Sequence, residues 1–198
     1  MAFRENYAAP LEDRGDDLYE TPPEATRAFL KAFGAWLPDV VWEPACGPGA
    51  IVRELRAAGH TVIASDLVDY RERGFDHLHG VDFEMEREMP GLAQAIVTNP
   101  PFKRADAFVM HALELAPKVA MLLRLAFIAN GVRMRGPALD GGSLKAVCPF
   151  RSRLPMMHRD GFQGPRTGSQ TDFAWFVWER GYDGPPMIKR LDVEWLNA

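Results

Sequence analysis

Short runs of apolar and β-branched residues recur along this chain and alternate with stretches of helical period. The runs predict strands at residues 40–43, 61–66, 95–98, 119–123, 144–150 and 172–178. Apolar positions three and four apart predict helices at residues 22–36, 50–58 and 104–115. The run at 119–123 is apolar throughout, which is typical of a central strand covered on both faces. This alternation favours an α/β fold with a mostly parallel sheet.

The first predicted helix begins with the polar sequence Tyr19-Glu20-Thr21-Pro22. Thr21 and Glu24 have the spacing of a capping box, and Pro22 occupies the first helical position that such a box predicts. An open helix N-terminus favours a negative group. We therefore expect this helix end and the Thr21 hydroxyl to receive a carboxylate; a well-capped helix without a ligand is the alternative.

A glycine-rich turn joins the first strand to the second helix. It consists of Pro44, Ala45, Cys46, Gly47, Pro48 and Gly49, with Glu43 directly before it. Two glycines let the backbone approach a ligand closely, and the helix start favours negative charge. The turn is not the dinucleotide fingerprint G-x-G-x-x-G, because Val52 stands where the third glycine belongs. The unit predicts a site for a nucleotide-like ligand.

Two acidic residues follow the next strands. Asp66 ends the strand at 61–66, where a carboxylate can accept both hydroxyls of a ribose. Asp82 lies near a third strand end and could hold an adenine amino group, with Phe83 packing on the ring. The alternative for Asp82 is an acidic surface, since more glutamates follow it. His77 and His79 have no nearby cysteine or third histidine, so we expect no metal site there.

The most distinctive chemistry lies at Asn99-Pro100-Pro101-Phe102, directly after the strand at 95–98. Prolines cannot donate to a sheet ladder, so Asn99 is held at the carboxyl end of a strand, where α/β sheets bind ligands. The Asn99 oxygen and the Pro100 carbonyl could accept both N–H groups of an amine on a flat ring, and Phe102 could stack on that ring. This arrangement suits amino methylation by positioning and electrostatics; a strand-ending turn with a buried Phe is the alternative.

Length and composition limit the protein class. The chain has 198 residues, 47% of them apolar and 25% charged, which is typical of a soluble globular protein. Its apolar runs are too short to span a bilayer, and its first residues lack the core of a signal peptide. Two cysteines, Cys46 and Cys148, make no disulfide framework. We therefore expect a cytoplasmic protein with no membrane partner, a flexible tail at 1–18 and one domain at 19–198.

Residues 43–49 followed by residues 99–102 resemble the motif pair of S-adenosylmethionine-dependent amino-methyltransferases. The resemblance is greatest to small N6-adenine DNA methyltransferases of phages and prophages. It implies a Rossmann-like class I fold of seven strands, with the last strand antiparallel and inserted beside the fifth. The aromatic run at 172–178 fits that place. A separate target-recognition domain, which many such enzymes carry, has no room in this chain.

The resemblance also implies residue roles. Ala45, Gly47 and Gly49 would wrap the methionine part of S-adenosylmethionine, and Thr21 and Pro22 would lie by its carboxylate. Asn99, Pro100, Pro101 and Phe102 would hold the target base. The full set of expected cofactor contacts is Tyr19, Thr21, Pro22, Glu43, Pro44, Ala45, Cys46, Gly47, Gly49, Asp66, Leu67, Asp82, Phe83 and Asn99.

Charge points to a nucleic-acid substrate. Residues 124–166 carry eight Lys and Arg against two Asp and Glu, on a chain of net charge −4. Such a block can face a polyanion, and a solvated loop region is the alternative. The expected phosphate contacts are Lys103, Arg124, Arg153, His158, Arg159 and Arg166. We expect adenine in single- or double-stranded DNA as substrate and a monomer or homodimer; RNA bases, protein glutamine and a non-catalytic binding module remain alternatives.

Overall fold

The computed structural model of the chain describes residues 19–129, 136–156 and 171–194. Within these ranges it has eight strands and four α-helices. The strands are β1 (Val40–Glu43), β2 (Thr61–Asp66), β3 (Leu78–His79), β4 (Ala95–Thr98), β5 (Lys118–Arg124), β6 (Leu144–Pro149), β7 (Phe173–Glu179) and β8 (Met187–Ile188). The helices are α1 (Pro23–Phe33), α2 (Ala50–Ala57), α3 (Ala105–Leu115) and α4 (Gly136–Asp140).

All eight strands form one sheet, in the order β3-β2-β1-β4-β5-β7-β6-β8. The first five strands in this order, β3, β2, β1, β4 and β5, are parallel to one another. β7 is antiparallel to both of its neighbours, β5 and β6. The α/β class and the antiparallel strand beside the fifth are as predicted. The number seven is wrong, and the antiparallel strand is not the last.

The eighth strand escaped prediction because of its length. β8 is two exposed residues, and Pro185, Pro186 and Lys189 flank it. A pair of apolar residues carries no periodicity, so β8 exists only through its parallel pairing with β6. The Lys189 N–H donates to the Val147 carbonyl at 3.1 Å, which extends that pairing.

The sheet is covered on both faces. One apolar core packs α1 and α2 against the sheet, and the second core includes residues of α3 and α4. Successive side chains of β7 point alternately to the two faces of the sheet. The Trp175 indole N–H donates to the Ala25 carbonyl of α1 at 3.0 Å, and the Trp178 indole N–H donates to the Ala138 carbonyl of α4 at 2.7 Å.

The capping box predicted for the first helix is wrong. α1 begins at Pro23, with Pro22 as its N-cap and without a side-chain capping hydrogen bond, and a 3₁₀ turn at Gly34–Trp36 follows it. The Thr21 hydroxyl instead accepts a hydrogen bond from Asn99 Nδ2 at 3.1 Å. The Thr21 hydroxyl therefore bonds to a residue distant in sequence instead of to the backbone of α1, as the capping pattern predicted.

The topology brings the chemistry-bearing residues to one edge of the sheet. The carboxyl ends of the parallel strands meet there, at Glu43, Asp66, Thr98 and Arg124. Because β7 runs the other way, its first residue, Phe173, lies at the same edge. None of the described helices is long and apolar enough to cross a membrane.

Candidate active site at the carboxyl edge of the sheet

A cavity of about 620 Å³ opens at this edge, a volume that fits a ligand of cofactor size. Most of the residues predicted for cofactor and target line it together. These are Tyr19, Thr21, Glu43, Pro44, Ala45, Cys46, Gly47, Asp66, Leu67, Asp82, Phe83, Asn99, Pro100, Pro101 and Phe102. Pro22 and Gly49 were predicted as cofactor contacts and are not among the lining residues.

Several lining residues were not predicted. They come from the segment before α1, the start of α2, the loop after β2, the surroundings of the 3₁₀ turn at Phe83–Met85 and the start of α3: Glu20, Pro48, Ala50, Ile51, Val68, Tyr70, Val81, Glu84, Met85, Arg104 and Phe108. Most are apolar residues with no chemical signal in a single sequence. Arg104 and Glu84 could have been noticed as opposite charges, and the Arg104 Nε donates to Glu84 Oε1 at 2.8 Å across the rim.

The glycine-rich turn is held by positive φ angles. Gly47 has φ +49° and Gly49 has φ +89°, a region that favours glycine. A Cβ on Gly49 would lie 2.3 Å from Cε2 of Phe75, which is buried behind the turn. Gly49 therefore permits the turn to pack on Phe75.

Asp66 ties the glycine-rich turn to the end of β2. Its Oδ2 accepts from the Gly47 N–H and its Oδ1 from the Val68 N–H, both at 2.9 Å. Burial raises the pKa of this carboxyl, and the two backbone N–H groups oppose the rise. Each carboxylate oxygen has a further lone pair, so Asp66 can hold the turn and accept a ligand hydroxyl together.

Glu43 is the least solvated acid of the site. Its side chain is 0% exposed, and both carboxyl oxygens lack a hydrogen-bond partner of good geometry among the described residues. Burial raises the pKa of Glu43 well above its ordinary value; the nearby Thr98 hydroxyl and the Ala45 N–H offset only part of that rise. An unpartnered buried carboxyl beside a cavity is suited to a cationic ligand group.

The far side of the cavity is formed after β2 and β3. Asp82 caps the 3₁₀ turn at Phe83–Met85 by accepting from the Glu84 N–H at 3.1 Å. Phe83 is buried edge-on against Trp42, with ring centroids 5.2 Å apart. Leu67 is 64% exposed, which leaves its side chain available to cover a flat ring.

Asn99 has an asymmetric hydrogen-bond pattern. Its Nδ2 donates to the Tyr19 carbonyl and to the Thr21 hydroxyl, each at 3.1 Å. Its Oδ1 is buried and has no partner among the described residues. Because the amide nitrogen is fully used, the oxygen is the group left to accept a hydrogen bond from a ligand in the cavity.

Phe102 is surrounded by three side chains. Tyr19 stacks on it with ring centroids 4.9 Å apart and an angle of 20° between the planes. The Arg124 guanidinium carbon lies 4.7 Å from its ring centre, and Phe173 packs at 5.5 Å. The ring predicted to stack on a target base therefore already carries an aromatic and a cationic neighbour.

The predicted phosphate contacts divide into two groups. Lys103 and Arg124 are exposed beside Phe102, and Arg153 pairs with Asp172 at 3.4 Å after β6. His158, Arg159 and Arg166 lie outside the described residues. The basic block is also not one surface, because Lys145 lies at the opposite edge of the sheet and pairs with Glu179 at 2.6 Å.

The remaining reactive side chains are engaged in packing. His77 is buried, with Nδ1 3.1 Å from the Phe75 carbonyl and Nε2 2.9 Å from the Val68 carbonyl. Cys46 and Cys148 are free thiols in the core. Burial raises the pKa of both thiols, that of Cys148 to about 12. Neither thiol is therefore a thiolate at neutral pH.

No model of a known protein family matches the sequence, and no curated protein matches it. Solved structures do match. A type I restriction-modification methyltransferase subunit from Streptococcus thermophilus has a TM-score of 0.61 at 14% identity, covering 85% of this chain and 46% of that chain. A putative class I S-adenosylmethionine-dependent methyltransferase from Listeria monocytogenes has a TM-score of 0.59 at 10% identity, covering 94% and 68%. The chain has an α/β fold similar to that of these methyltransferases.

The same fold occurs in a neighbour of another substrate class. A putative RNA methyltransferase from Pyrococcus horikoshii has a TM-score of 0.59 at 16% identity, covering 88% of this chain and 93% of that chain. This chain spans less than half of the restriction-modification subunit. At these identities the likeness concerns the fold, and the substrate has to be argued from the site.

Proposed function

We propose that this protein transfers a methyl group from S-adenosylmethionine to the N6 amino group of adenine in DNA. One observation carries the proposal: the Asn99 amide has both N–H groups engaged, and its buried oxygen has no partner within residues 19–129, 136–156 and 171–194. Pro100, Pro101 and Phe102 follow it in the wall of the same cavity. An acceptor pair beside an aromatic ring is the chemistry that an exocyclic amine on a base requires.

The cavity suits S-adenosylmethionine in its volume and in its polar groups. Asp66 keeps a lone pair on each oxygen for the ribose hydroxyls. Glu43, buried and without a well-aligned hydrogen-bond partner in the described part of the chain, is suited to a cationic group of the methionine part. The Gly47 turn and Thr21 line the same space. Asp82 and Leu67 would lie by the adenine. When bound, this cofactor supplies a methyl carbon on a sulfonium, which is a good leaving group.

The chain's own residues would prepare the amine. An amino group on adenine shares its lone pair with the ring, which makes it a poor nucleophile. Acceptance of its two N–H groups by Asn99 Oδ1 and the Pro100 carbonyl favours a tetrahedral nitrogen and aims its lone pair. The nitrogen then bonds to the methyl carbon as the carbon–sulfur bond breaks, and it loses one proton to solvent. Catalysis of this kind rests on positioning and electrostatics without a strong base.

RNA is the second candidate substrate. The proposed contacts are to an adenine amino group, which DNA and RNA share. Likeness to a restriction-modification subunit supports DNA, and likeness to a putative RNA methyltransferase supports RNA. We favour DNA because the motif pair at residues 43–49 and 99–102 resembles DNA enzymes most. Duplex DNA would require the adenine to be flipped out, at a cost of a few kcal/mol.

The test is methyl transfer from cofactor carrying a labelled methyl group. Single-stranded DNA, duplex DNA, RNA and a glutamine-containing peptide are offered in parallel, and the nucleic acids are digested to nucleosides. Label in N6-methyldeoxyadenosine is expected, and label in N6-methyladenosine would assign RNA. Asn99→Ala should lose at least about 100-fold in turnover, as expected for one preorganised electrostatic contact, with cofactor affinity nearly unchanged. Full activity of that variant would overturn the mechanism, and label in no substrate would overturn the function.

A further inference from the structure

The segment before α1 reaches across the site to the Asn99 side chain. Residues 19–21 place two acceptors on the same nitrogen, since the Tyr19 carbonyl and the Thr21 hydroxyl each lie 3.1 Å from Asn99 Nδ2. A carbonyl oxygen can only accept, so it must face the nitrogen of the amide and never its oxygen. The segment thus decides which way the amide of Asn99 points.

This segment is itself anchored to the fold. The Glu20 carboxylate pairs with Arg53 of α2 at 3.1 Å. Pro22 accepts from the Ala25 N–H at 2.9 Å in the first turn of α1, and Trp175 of β7 donates to Ala25 at 3.0 Å. Thr21 is 3% exposed, so water does not compete with the Asn99 N–H for the Thr21 hydroxyl. The acceptors are therefore preorganised.

We propose that Thr21 is a positioning residue for the base-activating amide of Asn99. This inference rests on the proposed function. With the Thr21 hydroxyl present, both N–H groups of Asn99 are satisfied and rotation of the amide is prevented. Valine has nearly the same shape but no acceptor, so one N–H of Asn99 loses its partner and the Tyr19 carbonyl alone then holds Oδ1 in its direction toward the amine.

A role toward the cofactor makes a different kinetic prediction. Thr21 lines the cavity, and its own hydroxyl hydrogen is free to donate to a cofactor carboxylate while its oxygen accepts from Asn99. A residue that served only the cofactor would raise the KM for S-adenosylmethionine on substitution and leave kcat unchanged. A residue that positions Asn99 lowers kcat at saturating cofactor. The two roles are therefore separable in one set of measurements.

Three variants provide the test, made in the full chain. Thr21→Val removes the acceptor, and Thr21→Ser restores it. Thr26→Val is the matched control, because Thr26 is a fully buried threonine of α1 whose hydroxyl has no partner among the described residues. We expect kcat to fall about tenfold in Thr21→Val, the usual worth of one neutral hydrogen bond. Thr21→Ser should stay within about twofold of the wild type, as should Thr26→Val.

A second readout does not depend on activity. The chain has four asparagines, Asn6, Asn99, Asn130 and Asn197, so ¹⁵N-asparagine labelling gives four side-chain amide pairs in an NMR spectrum. The pair that disappears in Asn99→Ala belongs to Asn99. That pair should shift in Thr21→Val, with faster hydrogen exchange, and should stay in place in Thr26→Val.

The outcomes separate the two proposals. A lower kcat together with a shifted Asn99 signal supports the positioning role. An unchanged kcat in Thr21→Val, with an active wild type, overturns it and leaves the proposed function intact. An Asn99 signal that does not respond to Thr21→Val overturns it whatever the kinetics. A wild type that methylates no substrate overturns the proposed function, and the positioning role of Thr21 is overturned with it.

Discussion

The rings of Tyr19 and Phe102 lie nearly parallel, 4.9 Å apart and inclined by 20°. Such a pair contributes about 0.5–1.5 kcal/mol beyond the burial of its area. A target base that stacks on this face of Phe102 must replace Tyr19. Under the proposed function, the Tyr19 ring would therefore compete with the target base for the Phe102 ring.

Removal of the Tyr19 ring should tighten substrate binding. We expect Tyr19→Ala to lower the KM for an adenine oligonucleotide by about 2- to 10-fold, the equivalent of one aromatic pair. Tyr19→Phe keeps the ring and should leave that KM unchanged. Steady-state kinetics at saturating cofactor measure both. A higher KM in Tyr19→Ala would instead make Tyr19 a second wall of the base site.

Gly49 offers a test of the packing behind the glycine-rich turn. Gly49 and Gly59 have similar φ angles, +89° and +96°, but only a Cβ on Gly49 would meet Phe75. Gly59→Ala should lower the free energy of unfolding by about 1 kcal/mol, the cost of the left-handed conformation. Gly49→Ala should lower it by about 1–3 kcal/mol more, because of overpacking.

Urea denaturation of the two glycine variants checks this difference. In a double-mutant cycle with Phe75→Ala, the extra cost at Gly49 should shrink, since the ring that it would strike is gone. Equal destabilisation of Gly49→Ala and Gly59→Ala would show that Phe75 moves aside without cost.

Glu43 should make the stability of the cofactor-free protein depend on pH. Burial raises its folded-state pKa above the ordinary 4.5, so the folded chain keeps a proton that the unfolded chain releases. The associated stability is fully present below about pH 4.5 and is lost as the pH rises toward the folded-state pKa. The slope for one such group reaches about 1.4 kcal/mol per pH unit.

Glu43→Gln removes the ionisation and should therefore gain stability over the wild type as the pH rises from about 5 to 7. Asp66, whose pKa is also raised, keeps a slope of the same sign in both proteins. Urea denaturation across this pH range measures the difference. The same variant should bind S-adenosylmethionine more weakly than the wild type. Parallel stability curves would contradict the assignment of the slope to Glu43.

Arg124 should contribute charge to nucleic-acid binding. It is exposed at the end of β5, with its guanidinium over Phe102. Loss of one phosphate contact should weaken binding to all oligonucleotides alike and reduce the slope of log K against log salt by about 1. Arg124→Ala is compared with Lys31→Ala, an exposed cation of α1 that pairs with Glu194. An unchanged slope in Arg124→Ala would exclude a phosphate contact.

The sequence predicted what depends on local pattern. The strands β1, β2, β4 and β5 follow from apolar runs whose burial requires no distant information, and Asn99 and Asp66 were placed at strand ends by the residues beside them. The parallel order of these strands then brought their ends to one cavity. The class of fold and the meeting of these residues at one cavity were therefore predictable.

What the sequence could not predict depends on distant partners. Thr21 satisfies a local capping pattern, yet its hydroxyl bonds to Asn99, 78 positions away. The packing of Gly49 on Phe75 is a tertiary contact that the glycine-rich pattern does not contain. Tyr19 beside Phe102 is likewise a tertiary contact without periodicity. In each case the residue type marked the residue as notable, but the sequence did not show which distant residue it contacts.

The reversed direction of β7 has a consequence for how such a chain could acquire specificity. Because β7 is antiparallel to β6, the end of β6 at Pro149 and the start of β7 at Phe173 both lie at the edge that holds the cavity. A segment of any length inserted between Pro149 and Phe173 would therefore begin and end beside the cavity, and it would leave the strand pairing of the sheet unchanged. Under the proposed function, a segment inserted at this junction would lie beside the target base, so exchanging that insert is expected to change the nucleic-acid sequence that is recognised.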